Sequence, residues 1–261
     1  MLVQRLERGR YRLQGYSMPE LVSSKTVFEP VAGWAKIPHG IWLKEATSVA
    51  VDSNDNVFVF NRGNQPILVF DPDGNVIDNW GNDNPPDKVR IVHDAYGNAS
   101  QFWETWFIRP HAITIDHEDN IWVVDDNAHQ IHKMSKSGEY LMTIGSGTPA
   151  PAQSGDMFHR PTDVAVSKKT NEIFISDGYD NSRVHRLDSE GKLIKSWGEI
   201  GTDPGEFNVP HNLALINDEE VIVCDRENYR VQVFDLDGNY SREWPVHKAV
   251  AVEVTETGDD V

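Results

Sequence analysis

Ser48-Val-Ala-Val-Asp-Ser-Asn-Asp-Asn-Val-Phe-Val-Phe-Asn-Arg-Gly63, continued by Ile67-Leu-Val-Phe-Asp-Pro-Asp-Gly-Asn75 and closed by Trp80-Gly81, decides the fold. Val49 and Val51 alternate with small or polar neighbours, the period of a half-buried strand. After an Asn/Asp turn comes the unbroken run Val57 to Phe60, which reads as a strand covered on both faces. Ile67 to Phe70 is a third strand. Asp71 to Asn75 is a hairpin turn, because Asp-Gly readily takes positive φ. A fourth, outer strand ends at Trp80.

The same module recurs three times. It runs from His111-Ala-Ile-Thr-Ile-Asp116 through Asn120-Ile-Trp-Val-Val-Asp-Asp126 to Ile144-Gly145. It runs again from Thr162-Asp-Val-Ala-Val166 through Ile173-Phe-Ile-Ser-Asp-Gly178 to Trp197-Gly198. Its last copy runs from His211-Asn-Leu-Ala-Leu215 through Val221-Ile-Val-Cys-Asp-Arg226 to Trp244. The intervals Val49 to Trp80, Ile113 to Ile144, Val164 to Trp197 and Leu213 to Trp244 are nearly equal. Tandem four-stranded modules predict an all-β chain folded as a β-propeller. A β-sandwich would share the hairpins but would not require the module order to repeat.

The remaining sequence divides around these modules. Residues 1–46 form an N-terminal segment, residues 47–244 carry four blades, and residues 245–261 begin a further one. Phe28-Glu-Pro-Val-Ala-Gly-Trp-Ala-Lys36 lies in that N-terminal segment. Within the blades, residues 82–109 are an insertion holding Asn84-Pro-Pro-Asp87 and Phe102-Trp-Glu-Thr-Trp-Phe107. Its aromatic cluster predicts a folded element over one propeller face. Gly147-Thr-Pro-Ala-Pro-Ala-Gln-Ser-Gly155 reads as a plain linker.

Composition excludes several roles. The 261 residues hold 41 acidic and 24 basic side chains, a formal net charge of −17. That field has the wrong sign for nucleic acid and for an anionic membrane surface. No apolar run approaches the ~20 residues that span a bilayer. Met1-Leu-Val-Gln-Arg-Leu-Glu-Arg8 lacks the apolar core of a secretory signal. Cys224 is the single cysteine, so no internal disulfide forms. These features together predict a cytoplasmic protein.

The chemistry sits at the repeat starts. In a propeller, the loop leading into each innermost strand opens onto the central channel, so equivalent positions converge. Two of them hold histidine after proline, in Arg109-Pro-His111 and Val209-Pro-His211; the third repeat has Arg160-Pro-Thr162. A neutral imidazole suits zinc, whereas a lone histidine is more often structural. A second ring of positions follows the second strands: Asn61-Arg62-Gly63, Asp125-Asp126-Asn127, Ser176-Asp-Gly-Tyr179-Asp-Asn-Ser-Arg183 and Cys224-Asp-Arg226-Glu-Asn228. Arg62 and Arg226 read either as a fork for an anionic, carboxylated ligand or as ties between blades. Arg183 and Arg230 read as ties. Tyr179 reads as a proton-transfer phenol or as a packed aromatic.

Pro161-Thr-Asp-Val-Ala-Val166, the Tyr179 loop, Trp197-Gly-Glu199, Pro204-Gly-Glu-Phe-Asn-Val-Pro-His-Asn-Leu-Ala-Leu215 and Asp225-Arg-Glu-Asn-Tyr-Arg-Val-Gln-Val-Phe234 resemble NHL-repeat proteins. More narrowly, they resemble the peptidyl-α-hydroxyglycine α-amidating lyase (peptidylamidoglycolate lyase) family. The resemblance spans residues 47–244 and is most specific from Pro161 to Phe234.

It implies a six-bladed propeller whose ring is closed by an outer strand from residues 28–36 of the N-terminal segment, with channel zinc on three histidines and a structural calcium partly on backbone carbonyls. It implies cleavage of a peptidyl α-hydroxyglycine to a peptide amide and glyoxylate. By resemblance His111 and His211 match two zinc ligands, Tyr179 the catalytic tyrosine, Arg62 and Arg226 the active-site arginines, and Val49 and Ile113 the calcium-contacting carbonyls. The third zinc histidine of the family begins its last blade, and no matching Pro-His follows Trp244. His247 lies a few positions early for that role.

The leading expectation is therefore a zinc-dependent lyase acting on a small carboxylated substrate. Two other readings stand beside it: a non-catalytic propeller binding a protein partner on its open face, and a calcium-dependent lactone hydrolase recruiting Asp125, Asp126, Asp177 and Asp225.

Overall fold

A computed structural model describes residues 3–6, 27–82, 89–93, 99–103 and 105–254. Strands β1 (Val3–Leu6) and β2 (Val27–Pro30) form an antiparallel pair. Blade 1 follows as β3 (Ala46–Val51), β4 (Val57–Asn61), β5 (Ile67–Phe70) and β6 (Val76–Trp80). The insertion contributes a hairpin, β7 (Val89–His93) and β8 (Ala99–Trp103). Blade 2 comprises β9 (Pro110–Ile115), β10 (Ile121–Asp125), β11 (Gln130–Met134) and β12 (Tyr140–Ile144). Blade 3 comprises β13 (Asp163–Val166), β14 (Ile173–Asp177), β15 (Arg183–Leu187) and β16 (Leu193–Trp197). Blade 4 comprises β17 (Pro210–Ile216), β18 (Glu220–Asp225), β19 (Arg230–Asp235) and β20 (Tyr240–Pro245). Each blade is an antiparallel meander in sequence order, as the repeat predicts.

Burial follows strand position. Every residue of β4, β10 and β14 is buried, because the second strand is covered by the blades on either side. The outer strands are mostly exposed until their closing residue. Trp80, Ile144, Trp197 and Trp244 stand opposite Ile67, Ile131, Val184 and Val231 in register.

The core lies between blades rather than within them. Phe58, Phe60 and Trp80 meet Ile113, Ile121 and Met134 across the blade 1–2 seam; the 2–3 and 3–4 seams repeat this. Each fully buried large side chain there contributes about 1.5–3 kcal/mol.

A recurring Phe locks each seam. Phe107, Phe158 and Phe207 are fully buried, each three residues before Pro110, Pro161 and Pro210. They press on Gly81, Gly145 and Gly198, the glycines after the closing residues. All three glycines have φ near +90 to +100°, and a Cβ on Gly198 would stand 2.5 Å from the Phe207 ring. The insertion thus ends by wedging Phe107 edge-on against Phe60, with ring centres 5.0 Å apart.

Both ends of the array are covered. Trp34 packs on Phe70, donates Nε1–H to the Pro72 carbonyl, and meets the hairpin glycine Gly74. Trp80, Ile144 and Trp197 meet Gly138, Gly191 and Gly238 in the same way. Trp34 therefore occupies the slot of a preceding blade's closing residue. At the other end, Val246, Ala249, Val252 and Val254 cover Ile216, Ile222 and Cys224 of blade 4. Val252 N–H donates to Asn212 Oδ1, so this segment lies where the innermost strand of a fifth blade begins.

Candidate functional site

The segments leading into the innermost strands are pinned by the last residue of each second strand. Asp125 accepts the N–H of Ile108 and of Arg109, the latter at 2.7 Å. Asp177 accepts His159 N–H at 3.0 Å, and Asp225 accepts Asn208 N–H at 2.7 Å. Each therefore binds the residue after the seam Phe, which fixes where the Pro-His or Pro-Thr pair starts. Burial raises the Asp125 carboxyl to about 6 despite those donors. These carboxylates are occupied by backbone, and Asp126 by Arg109 and Arg160. Among the described residues no group of three His, Cys, Asp or Glu side chains is gathered for a metal.

His111 and His211 converge. Their ring centres lie 5.0 Å apart. His111 Nδ1 is 2.7 Å from the Thr162 carbonyl oxygen and His211 Nδ1 is 2.8 Å from that of Val250. A carbonyl only accepts, so each Nδ1 carries the ring proton and each Nε2 presents a lone pair. Both lone pairs aim at one atom, the Tyr179 hydroxyl, at 2.9 Å from His111 and 3.1 Å from His211. Burial pushes His111 well below the ordinary imidazole value, and the charges of His211 and Arg62 add to that. Burial also lowers His211, with Arg226 adding and the Val250 carbonyl opposing.

The repeat positions alternate. Thr47 starts blade 1, His111 blade 2, Thr162 blade 3, His211 blade 4 and Val250 the next segment. Thr47 and Thr162 each send Oγ1–H to the second strand of their own blade, at Phe60 O and Ser176 O. Thr162 and Val250 each offer a carbonyl to the preceding histidine. In this register His247 falls three residues ahead of Val250, where it packs on Tyr229 with ring centres 5.3 Å apart.

The arginines differ in use. Arg62 donates Nε–H to the Pro110 carbonyl at 3.0 Å and pairs with Glu45 at 2.6 Å, so it ties blade 1 to the start of blade 2 beside His111. Arg226 pairs with Glu227 at 2.9 Å, and its Cζ lies 5.7 Å from the Tyr179 ring centre. Arg230 is a structural tie: it binds Asp225 at 2.7 Å and the carbonyls of Thr202, Asp203 and Glu206. Arg183 is not one, since its Nε is buried without an acceptor and no carboxylate among the described residues pairs with it.

Val49 and Ile113 occupy equivalent places on adjacent innermost strands. Val49 is half exposed, and the Ile113 carbonyl takes a 3.4 Å hydrogen bond from Ser48 Oγ. Sequence reasoning passes over Arg160, whose Cζ stands 4.4 Å from the Tyr179 ring centre. The available signal was its place before Pro161, matching Arg109 before Pro110.

A match to the NHL repeat family covers residues 158–187 and 207–234. The chain is 35% identical over 211 residues to the peptidylglycine α-amidating monooxygenase of Rattus norvegicus, covering 76% of this chain and 21% of that protein. It is 33% identical over 204 residues to a probable peptidyl-α-hydroxyglycine α-amidating lyase of Caenorhabditis elegans, covering 74% of this chain and 56% of that protein. The chain thus spans from a fifth to just over half of these relatives. Among solved structures, a gluconolactonase of Xanthomonas campestris superposes with a TM-score of 0.54 at 13% identity, over 80% of this chain and 65% of that one. That likeness is one of fold.

Proposed function

Because the chain is an NHL-repeat propeller resembling the peptidyl-α-hydroxyglycine α-amidating lyases, we propose that it is a zinc-dependent carbon–nitrogen lyase for a carboxylated carbinolamide. One observation carries the reading. Two imidazole lone pairs face a single phenol, which can donate its one proton to only one of them. The other keeps its Nε2 lone pair, so two neutral imidazole donors stand side by side, the kind of ligand that zinc takes. His111 and His211 would hold zinc, with Thr162 and Val250 fixing their rings. When bound, zinc supplies electrophilic polarisation of the substrate hydroxyl.

The chain's own groups do the rest. Arg226 and Arg62 bind the substrate carboxylate and orient the adjacent carbinol carbon. Tyr179 Oη takes the carbinol proton while its own hydroxyl proton passes to the departing amide nitrogen. The oxygen's electron pair becomes the second bond of the glyoxylate carbonyl, and the C–N pair leaves with the amide nitrogen, which is protonated. A structural calcium on the inner-strand carbonyls of Val49 and Ile113 belongs to the same reading. Purified protein with zinc should release glyoxylate from α-hydroxyhippurate. Release no faster than from the His211→Ala variant would refute the lyase.

A second reading is a binding propeller with a protein partner on its open face. It is favoured by the convergence of only two imidazoles among the described residues. It expects no zinc retained after dialysis, by elemental analysis.

A further inference from the structure

Arg160 grips Tyr179 from two sides. Its guanidinium carbon lies 4.4 Å from the ring centre, closer than Arg226 at 5.7 Å. Its backbone carbonyl accepts Tyr179 N–H at 3.4 Å. Arg160 itself is held tightly. Its Nη2 donates to Asp126 Oδ2 at 3.0 Å, its Nη1 faces Asp180 Oδ2 at 3.7 Å, and its N–H donates to His129 Nδ1 at 3.1 Å. Asp126 is fully buried and also takes Arg109, so the carboxylate is a fixed anchor. The backbone at Arg160 is left-handed, with φ of +64° directly before Pro161, a conformation that costs energy for a residue with a side chain. Its Nε is buried with no hydrogen-bond acceptor. With Asp126 and Asp180 holding its nitrogens, the guanidinium also stands over the aromatic face, which attracts a cation.

We propose that Arg160 is a positioning residue for Tyr179: clamped by Asp126, it stacks on the ring and keeps the hydroxyl between His111 and His211. The inference rests on the lyase reading for its kinetic consequence, and on geometry alone for the clamp. A phenol free to swing by even about 1 Å would lose much of its effectiveness in proton transfer.

The test uses the full chain with zinc, and the variants Arg160→Gln, Arg160→Lys and Asp126→Asn. Turnover of α-hydroxyhippurate should fall about tenfold in Arg160→Gln, about 1.4 kcal/mol of barrier. KM should change by less than about threefold, since ground-state binding is not what the clamp supplies. Bound zinc should be unchanged. Arg160→Lys should recover part of kcat, and Asp126→Asn should lower it in the same direction.

The independent readout is ring-carbon NMR of 13C-labelled tyrosine, with the Tyr179 signal assigned by its loss in Tyr179→Phe. That signal should shift or broaden in Arg160→Gln and partly return in Arg160→Lys. An unmoved signal overturns the proposal. So does a rise in KM at constant kcat, which makes Arg160 a substrate contact. If the parent protein releases no glyoxylate, the lyase reading fails by itself, and the ring signal still decides the clamp. If Arg160→Gln does not fold, Arg160→Lys and Asp126→Asn carry both readouts.

Discussion

Thr162 stands where histidine begins the blades on either side, and its carbonyl oxygen holds His111 Nδ1 at 2.7 Å. The threonine is thus no lost ligand. It sets the tautomer of the neighbouring imidazole, and its own Oγ1–H is occupied by the Ser176 and Pro210 carbonyls. On the lyase reading, removing either imidazole should release zinc. His111→Ala and His211→Ala are each expected to weaken zinc binding by at least about tenfold and to abolish glyoxylate release; in the zinc-free protein His111→Ala, which leaves the buried Thr162 carbonyl unpaired, should also cost about 1–3 kcal/mol, and the less buried His211→Ala less. Metal analysis after dialysis, paired with urea unfolding in chelator, checks this.

The two arginines should separate by kinetics and stability. Arg226→Ala removes a guanidinium that pairs with the adjacent Glu227, so KM should rise about tenfold or more with little loss of stability. Arg62→Ala also cuts the tie between Glu45 and the Pro110 carbonyl, and should cost about 1–2 kcal/mol of stability in addition. Steady-state kinetics and chemical denaturation of both variants distinguish them. Equal effects on KM and no stability difference would contradict the assignment.

Asp163 makes folding sensitive to pH. It is buried between blades 3 and 4, accepting Leu213 N–H at 3.2 Å and the Asn212 side-chain amide. Burial raises its carboxyl from 3.8 to about 7, and Glu253 adds to the rise. The folded state keeps a proton that the unfolded chain releases, so this group's contribution is intact below about pH 4 and is lost as pH rises toward about 7. An asparagine oxygen can accept the same two donors. Asp163→Asn should match the parent at pH 4 and exceed it at pH 8 by about 1–4 kcal/mol. Urea unfolding at both pH values gives the difference; a gap that does not grow with pH would contradict it.

The hairpin glycines are steric requirements. Gly238 has φ of +77°, and a Cβ there would stand 2.5 Å from the Trp197 ring of the preceding blade. Gly238→Ala combines backbone strain with a clash at a closing residue, and should lower stability by about 2–4 kcal/mol. Gly205, with φ of +88° and nothing within 4 Å, should cost only the strain, about 1 kcal/mol. Thermal unfolding of the two alanine variants ranks them; the reverse order would refute the packing argument.

Much of this was legible in the sequence because it is periodic. Strand period, Asp-Gly hairpins and closing Trp residues recur at nearly constant spacing, and each follows from local backbone preference and burial. The four blades and their meander order could therefore be read directly. The repeat register also brought His111 and His211 to one axis and placed Tyr179 and Arg226 near them. The role of Arg160 was not legible, because it depends on a carboxylate in another blade, Asp126, and on a left-handed turn before proline. Nor was the use of Asp125, Asp177 and Asp225, which as sequence look like metal ligands and in the fold are filled by backbone N–H groups.

The amino-acid pattern by itself determined the architecture, since propeller blades are built from nearest-neighbour contacts that a repeat encodes. Only the tertiary structure decided which side chains meet across seams, which imidazole nitrogen keeps its lone pair, and which arginine presses on Tyr179. Those outcomes depend on distances and burial between residues some twenty to seventy positions apart, which local propensity does not carry.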